Sequence, residues 1–380
     1  MGDGQTHSRI ESWAETMHGN LSDPEIRLAH VDSSAGAGTT HPVERLAREA
    51  SEDAQLSPHA TRSFGSGNRA VAEEPDPFRT CFERDRDRIL HAAAFRRLAG
   101  KTQVFVFPQD HQRTRLTHAL EVAQVATALS RALGLNVSLT EAIALGHDCG
   151  HGPGGHASED ALSQFVKNGF DHAVWGADVT LSSLNLCTET LDGIRNHSWS
   201  RPAPSTPEGE VVSWADRIAY VCHDFEDAVA AGIVSPEQLP VEIKSQCGIN
   251  RSSQLRAFIS AMIATTLSSG LIGMTPSTAD ALAMFRKFNY ENIYMRQASR
   301  QQATTVINLL RALVEHYIKY PQLIGDTGEI KTAEHDIVHD AVAYVGGMKI
   351  ASLVDKQLLY LAGTVRNSRR ESIRIKLTQS

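Results

Sequence analysis

The sequence predicts an all-α fold with at most a small β-hairpin, and three observations carry that prediction. After residue 78, apolar residues recur at three- and four-residue spacing through most of the chain. Hydrophobic content is 41% with only 6% aromatics, which builds an aliphatic core rich in Ala and Leu. The β-branched and aromatic alternation of a strand is confined to Gln103–Phe107, read here as one arm of a hairpin.

Residues 1–42 are rich in Gly, Ser, Thr, Asp and His and lack apolar periodicity. Such a segment buries too little to offset its ordering entropy and is expected as a disordered tail. Its histidines, His7, His18, His30 and His41, read as solvated side chains. Residues 43–76 are expected as an extended arm. It holds a short amphipathic piece near Val43–Ala50, the Ser/Gly-rich Arg62–Arg69, and a closing Pro75-Asp76-Pro77. A core over residues 77–330 and a C-terminal helical segment over 331–380 complete the expected organisation.

Within the core, Asp85–Leu98 places Ile89, Ala93 and Arg96/Arg97 on successive helical turns. Arg115–Leu133 carries Leu116, Leu120, Ala123, Ala126, Leu129 and Leu133 at helical spacing, and Gly134 stops it. Thr140-Glu141 opens a short apolar helix, Ala142–Gly146, that ends at a His-Asp pair. Glu208–Ala231 reads as a long amphipathic helix ending at Gly232. Leu255–Leu267, Ser277–Lys287, Gln302–Lys319 and Ile337–Leu361 follow as further helices.

Composition narrows the function classes. A net charge of −7 argues against a generally basic nucleic-acid-binding protein. Five scattered cysteines, odd in number and without a C-x-x-C pair, read as reduced thiols. No apolar run approaches the roughly eighteen residues of a membrane span, and the polar N-terminus lacks a signal-peptide core. A soluble, cytoplasmic protein with no membrane partner is expected.

Chemistry concentrates in His147-Asp148-Cys149-Gly150-His151-Gly152-Pro153-Gly154-Gly155-His156. Three imidazoles and a carboxylate at this density are hard to explain as packing, because His and Asp are seldom buried without partners. His147 and Asp148, joined by His118 and Asp216 from other helices, offer two nitrogens and two oxygens to one divalent cation. That donor set suits Mn, Fe, Zn, Co or Ni, and Mg less readily. Arg115 lies three residues before His118, on nearly the same helix face. Asp216, Tyr220 and Asp224 fall within one stripe of their helix. The glycines of Gly150–Gly155 would let backbone approach an anion. His151 and His156 flank them as candidates for phosphate binding and proton delivery, with Glu159 placed to orient His156. Between Phe78 and His118, nine Arg/Lys against four Asp/Glu would concentrate a polyanionic substrate.

Asp85-Arg86-Asp87-Arg88-Ile89-Leu90-His91, Ala94-Phe95-Arg96-Arg97-Leu98, Lys101-Thr102-Gln103-Val104-Phe105 and Arg113-Thr114-Arg115-Leu116-Thr117-His118-Ala119-Leu120-Glu121 together resemble the bacterial dGTPase family. Thr140–His156, Gly169-Phe170-Asp171-His172, Asp216–Asp224 and Asn292-Ile293-Tyr294 continue the match in family order, over about residues 43–325. The resemblance implies an HD-domain helical bundle with added C-terminal helices, and one divalent metal ion per active site, Mn, Mg or another transition metal. It implies metal ligation by His118, His147, Asp148 and Asp216, and a catalytic His156 with Glu159 as partner. It further implies phosphate contacts from His151 and Arg115, sugar recognition by Tyr220 and Asp224, and an additional active-site histidine at His172, while Lys101 and Arg217 are further candidates for offsetting phosphate charge.

The implied reaction is hydrolysis of dNTPs, dGTP included, to deoxynucleoside and inorganic tripolyphosphate. A homo-oligomer is implied as well, with an allosteric nucleotide and single-stranded nucleic acid as further partners the family admits. Rival readings are an HD-type phosphomonoesterase or phosphodiesterase, and a catalytically dead nucleotide sensor. The chain departs from the family pattern at Gly152-Pro153-Gly154, where P-P-F is usual, and at Arg217, where an acidic residue is usual. It departs again at Ala343–Ala351, where two acidic positions are lost.

Overall fold

The computed structural model describes residues 3–23, 26–39, 41–105, 111–324 and 336–353, and helices dominate it. The chain divides into two compact units, Met1–Val43 and Glu44–Ser380. The first holds helix α1 (Asp3–Thr16) and an antiparallel hairpin of β1 (Asn20–Asp23) and β2 (Ile26–Leu28). The segment expected as a disordered tail therefore carries regular elements. They rest on local hydrogen bonds such as Thr16 Oγ1 to Trp13 O, and every side chain from Ser8 to His18 is exposed.

The second unit begins with α2 (Arg45–Gln55), and residues 56–69 run on along the core instead of standing away as an arm. Ala60 is buried, Glu208 accepts from Thr61 N–H and Oγ1–H, and Arg69 Nη1 reaches Asp85 Oδ1 at 2.6 Å. The helix expected over Asp85–Leu98 is broken into α3 (Cys81–His91) and α4 (Ala93–Arg97) by extended backbone at Ala92, ψ 143°. The break turns the chain so that Phe95 and Leu98, as well as Ile89, enter the core.

The strand expected at Gln103–Phe107 is absent from its described part. Only Thr102 forms a bridge, to Thr114, while Val106 and Phe107 lie outside the described residues. Thr102 N–H donates to Pro153 O at 3.0 Å, so this segment docks on the His-rich loop instead of pairing along its length.

Helix α5 (Arg115–Leu133) starts where Thr114 N–H meets Thr117 Oγ1 and ends on Gly134 at φ +66°. Asn136 caps α6 (Val137–Gly146) through Leu139 N–H. Short helices α7 (His156–Leu162), α8 (His172–Trp175) and α9 (Thr188–Asn196) follow. The long α10 (Pro207–Ala230) has Thr206 as cap and Pro207 in its first turn. Then come α11 (Val241–Cys247), α12 (Arg251–Ser269), α13 (Pro276–Asn289), α14 (Gln297–Lys319) and α15 (Ile337–Gly346). The expected helix Ile337–Leu361 is interrupted after Gly346 and is helical again at 350–353, while 354–361 lie outside the described residues.

Two apolar clusters hold the unit together. One gathers side chains of α3–α6, α9, α10, α12 and α13, with Ile143, Ile218 and Phe258 wholly buried. The other joins α7, α14 and α15, with Leu162, Leu310 and Val342 at its centre. The His147–His156 stretch runs from the first cluster to the second, and the site forms at that crossing.

Candidate metal centre and active site

Three helices bring the four expected metal ligands together. His118 stands one turn into α5, His147 and Asp148 close α6, and Asp216 lies midway along α10. All four are buried. His118 Nε2 is 3.1 Å from Asp216 Oδ1 and 4.0 Å from Asp148 Oδ2. His147 Nε2 is 3.5 Å from Asp148 Oδ1 and 3.8 Å from Asp216 Oδ1.

The His147 tautomer follows from its partners. Its Nδ1 lies 2.6 Å from Ala144 O, and a carbonyl only accepts, so Nδ1 carries the proton. Nε2 therefore presents a lone pair to two carboxylates and has no hydrogen-bond partner. A buried lone pair facing buried carboxylate oxygens is repulsive until a cation sits among them. The donor set fits a divalent metal ion on that ground.

The electrostatics of Asp148, Asp216 and His147 agree, while His118, beside the two carboxylates, is held up against burial by Asp216 and Asp148. Burial would raise the Asp148 carboxyl, but Arg115 and the surrounding histidines hold it well below the ordinary carboxylate range. Asp216 is likewise held low against burial, by Arg217 and His118. Burial pushes His147 down, which keeps its imidazole neutral. Both carboxylates are thus ionised and ready for a cation.

A second layer surrounds Asp148. Arg115 Nη1 lies 2.6 Å from Asp148 Oδ2, and His151 Nε2 lies 3.2 Å from Asp148 Oδ1. The His151 ring stacks on His172 with centroids 3.7 Å apart and planes 14° apart. Gly150 makes that stack reachable, since a Cβ there would stand 2.0 Å from His172 O. Gly155 starts α7 at φ +61°, with Thr102 O 3.2 Å from where its Cβ would be. These glycines therefore serve close packing of chain on chain, which corrects the expectation that they open backbone to an anion. Gly150–Gly155 is buried throughout.

Glu159 joins two imidazoles. His156 Nδ1 lies 2.9 Å from one carboxylate oxygen and His172 Nδ1 lies 2.6 Å from the other. Both hydrogen bonds hold the Glu159 carboxyl far below its usual range in spite of burial. The His156 side chain is 78% exposed, so its Nε2 is open to a ligand.

On α10, Arg217 Nη1 grips Asp216 Oδ2 at 2.5 Å. Tyr294 O–H donates to Asp224 Oδ2 at 2.6 Å, while Asp224 Oδ1 is buried without a partner. Burial pushes the Asp224 carboxyl up to about 7 and the Tyr220 phenol up to about 12.

Two expectations change. The Lys101 ammonium is buried and donates to His151 O and to Gly346 O, fastening the His-rich loop to the C-terminal segment instead of facing a phosphate. The excess positive charge of Phe78–His118 is largely spent on structural ion pairs. Arg79 pairs with Asp76 and Asp87, Arg84 and Arg88 with Glu73, and Arg86 with Asp87. Arg113 is held by Glu121, Glu226 and Asp227. Among the described residues, Arg115 lies against Asp148 and Arg217 against Asp216.

Two further residues escaped sequence reasoning. His197, buried at the end of α9, has Nε2 3.3 Å from His172 Nε2 and its ring 5.0 Å from the His147 ring. Trp199, two residues on, is 52% exposed and packs against Arg217. His197 ends a helix as His147 does, which was the one available signal.

Comparison with known proteins fits this geometry. Residues 115–221 match the HD domain, a span that includes all four candidate ligands. Over 327 residues the chain is 38% identical to a deoxyguanosinetriphosphate triphosphohydrolase-like protein of Caldanaerobacter subterraneus subsp. tengcongensis, covering 82% of this chain and 95% of that one. The chain belongs to this triphosphohydrolase-like family. A Clostridium perfringens relative of the same description is 38% identical, covering 78% and 91% of the two chains. One from Geobacter metallireducens is 35% identical, covering 75% and 89%. As a triphosphohydrolase-like HD-domain protein, the chain falls in the hydrolase class, and its His/Asp cluster can hold a metal. Among the described residues no helix is long and apolar enough to cross a membrane.

Proposed function

We propose that this chain hydrolyses deoxynucleoside triphosphates, dGTP among them, to deoxynucleoside and inorganic tripolyphosphate. The relatives' description supports a triphosphate substrate. The observation that carries the nucleoside half is Asp224 Oδ1, a buried acceptor without a partner, two turns along α10 from Asp216. Those eight residues span about 12 Å of helix, enough to place a sugar hydroxyl on Asp224 and the α-phosphate beside Asp216.

His118, His147, Asp148 and Asp216 would hold one divalent ion, which when bound supplies Lewis-acid charge at the α-phosphate and lowers the pKa of a water. The chain's own residues do the rest. Arg115 and His151 flank Asp148 and offset phosphate charge as the α-phosphorus is attacked. Arg217 binds the phosphate chain from the Asp216 side, in ground and transition state alike. His156, oriented through Nδ1 by Glu159, presents Nε2 to the departing 5′-oxygen and protonates it. His172 steadies Glu159 from its other oxygen and backs the His151 ring. Tyr294 fixes one oxygen of Asp224 so that the other accepts from the sugar 3′-hydroxyl, and Tyr220, between Asp216 and Asp224 on α10, bounds the sugar. Water adds to phosphorus and releases a proton to solvent, the bond from phosphorus to O5′ breaks, and the nucleoside leaves with the proton from His156, which solvent restores.

The test is a screen of single and mixed dNTPs with Mn²⁺, Mg²⁺ or Co²⁺, with products separated by chromatography. Tripolyphosphate and deoxynucleoside in equal amounts support the proposal. Orthophosphate or a nucleoside monophosphate would assign the site to a different HD-type reaction, and no turnover would leave only binding.

A further inference from the structure

Arg217 occupies the position where the family pattern is usually acidic. Its guanidinium carbon lies 5.3 Å from the Trp199 ring centroid and 5.9 Å from that of Tyr220. Nη1 holds Asp216 Oδ2 at 2.5 Å, while Nε is buried with no hydrogen-bond partner. The Arg217 side chain is only 15% exposed. Trp199 in turn stands edge-on to Trp214, with ring centroids 4.8 Å apart and planes at 76°. Trp214 and Arg217 sit three residues apart on α10, so the indole rests on the helix that carries the metal-site carboxylate.

A planar cation between two aromatic faces keeps its plane while its hydrogen bonds change. The Asp216 contact uses one edge of the fork, and the unpartnered Nε shows that the clasp leaves donor capacity unspent. We infer that Trp199 is a positioning residue for Arg217, holding the guanidinium against Tyr220 so that it meets the phosphate chain of the substrate beside Asp216. The assignment rests on the triphosphate reading above. Trp199 belongs to the loop after α9 and is 52% exposed, so its replacement leaves both apolar clusters intact.

The experiment compares the full-length protein with Trp199→Phe, Trp199→Ala, Arg217→Gln and the Trp199→Ala/Arg217→Gln double variant. Calorimetric titration with inorganic tripolyphosphate, in EDTA, reads the phosphate contact without turnover, and circular dichroism checks folding. Wild type and Trp199→Phe should bind alike, and Trp199→Ala should bind about three- to tenfold more weakly, the size of a partly desolvated cation–π contact. The double variant should bind no more weakly than Arg217→Gln alone, because Trp199 acts only through Arg217. Steady-state kinetics with dGTP and Mn²⁺ should show the Trp199→Ala loss in KM, with kcat nearly kept. Unchanged binding in Trp199→Ala, or additive losses in the double variant, would overturn the clasp while leaving the triphosphate reading standing. Wild-type protein that releases no tripolyphosphate from dGTP with Mn²⁺ would overturn that reading itself.

Discussion

His147 Nε2 lies 3.5 Å from Asp148 Oδ1, and no proton joins them, because burial keeps the imidazole neutral and its one proton is committed to Ala144 O. Adjacent residues at a helix end thus hold a lone pair and a carboxylate face to face, an arrangement that a cation resolves. Divalent metal should therefore stabilise the fold. At a hundredfold excess over its dissociation constant, Mn²⁺ adds about 2.7 kcal/mol, a rise of several degrees in the thermal midpoint by scanning calorimetry. EDTA should reverse it, and His147→Ala should abolish it.

Arg115 and Asp148 form an ion pair in which both side chains are almost wholly buried. Removing one partner strands a buried charge, so Arg115→Ala should cost about 3–5 kcal/mol in urea unfolding of the metal-free protein. With Mn²⁺ present the loss should shrink, since the ion offsets the same carboxylate. An equal loss in both conditions would show that the pair and the metal do not share Asp148.

Glu159 serves two donors at once, and a carboxamide cannot, since its NH₂ would face one of the imidazole N–H groups. Glu159→Gln should lower kcat by about 10²-fold or more with little change in KM. Combining it with His156→Ala should add little beyond His156→Ala alone. Additive losses would separate Glu159 from the proton transfer.

Asp224 gives a pH signature. Its folded-state value of about 7 exceeds the ordinary carboxylate value of 3.8, so between these limits the native state binds a proton that the unfolded chain has released. Stability from this group is full below the lower limit, falls as pH rises through the window, and levels off above 7. The slope is at most about 1.4 kcal/mol per pH unit, and urea titrations of Asp224→Asn should lack it. The same substitution should raise KM for dGTP, yet leave a 2′,3′-dideoxy substrate unaffected.

Part of the site is legible in the sequence. The gathering of His118, His147, Asp148 and Asp216 is, because four such donors within motifs that resemble one family's have few other uses. Tyr220 and Asp224 were readable as a stripe, but the partner that fixes Asp224, Tyr294, is 70 residues away. Lys101 misled because residue type announces charge and not direction, and its ammonium turns onto carbonyls that only the tertiary fold supplies. The arginines of Phe78–His118 misled in the same way, since Glu73, Glu121, Glu226 and Asp227 lie outside the segment's local reach or on other helices. The break at Ala92 was hidden because alanine is a good helix former and burial of Phe95 and Leu98 decided its backbone. His197 and Trp199 carried no motif at all.

Water attack at the α-phosphorus with loss of the whole nucleoside can be followed most directly by hydrolysis of dGTP with Mn²⁺ in H₂¹⁸O and mass spectrometry of both products. One ¹⁸O should appear in tripolyphosphate and none in deoxyguanosine. Label in the nucleoside, or ¹⁸O-orthophosphate beside a nucleoside diphosphate, would contradict it.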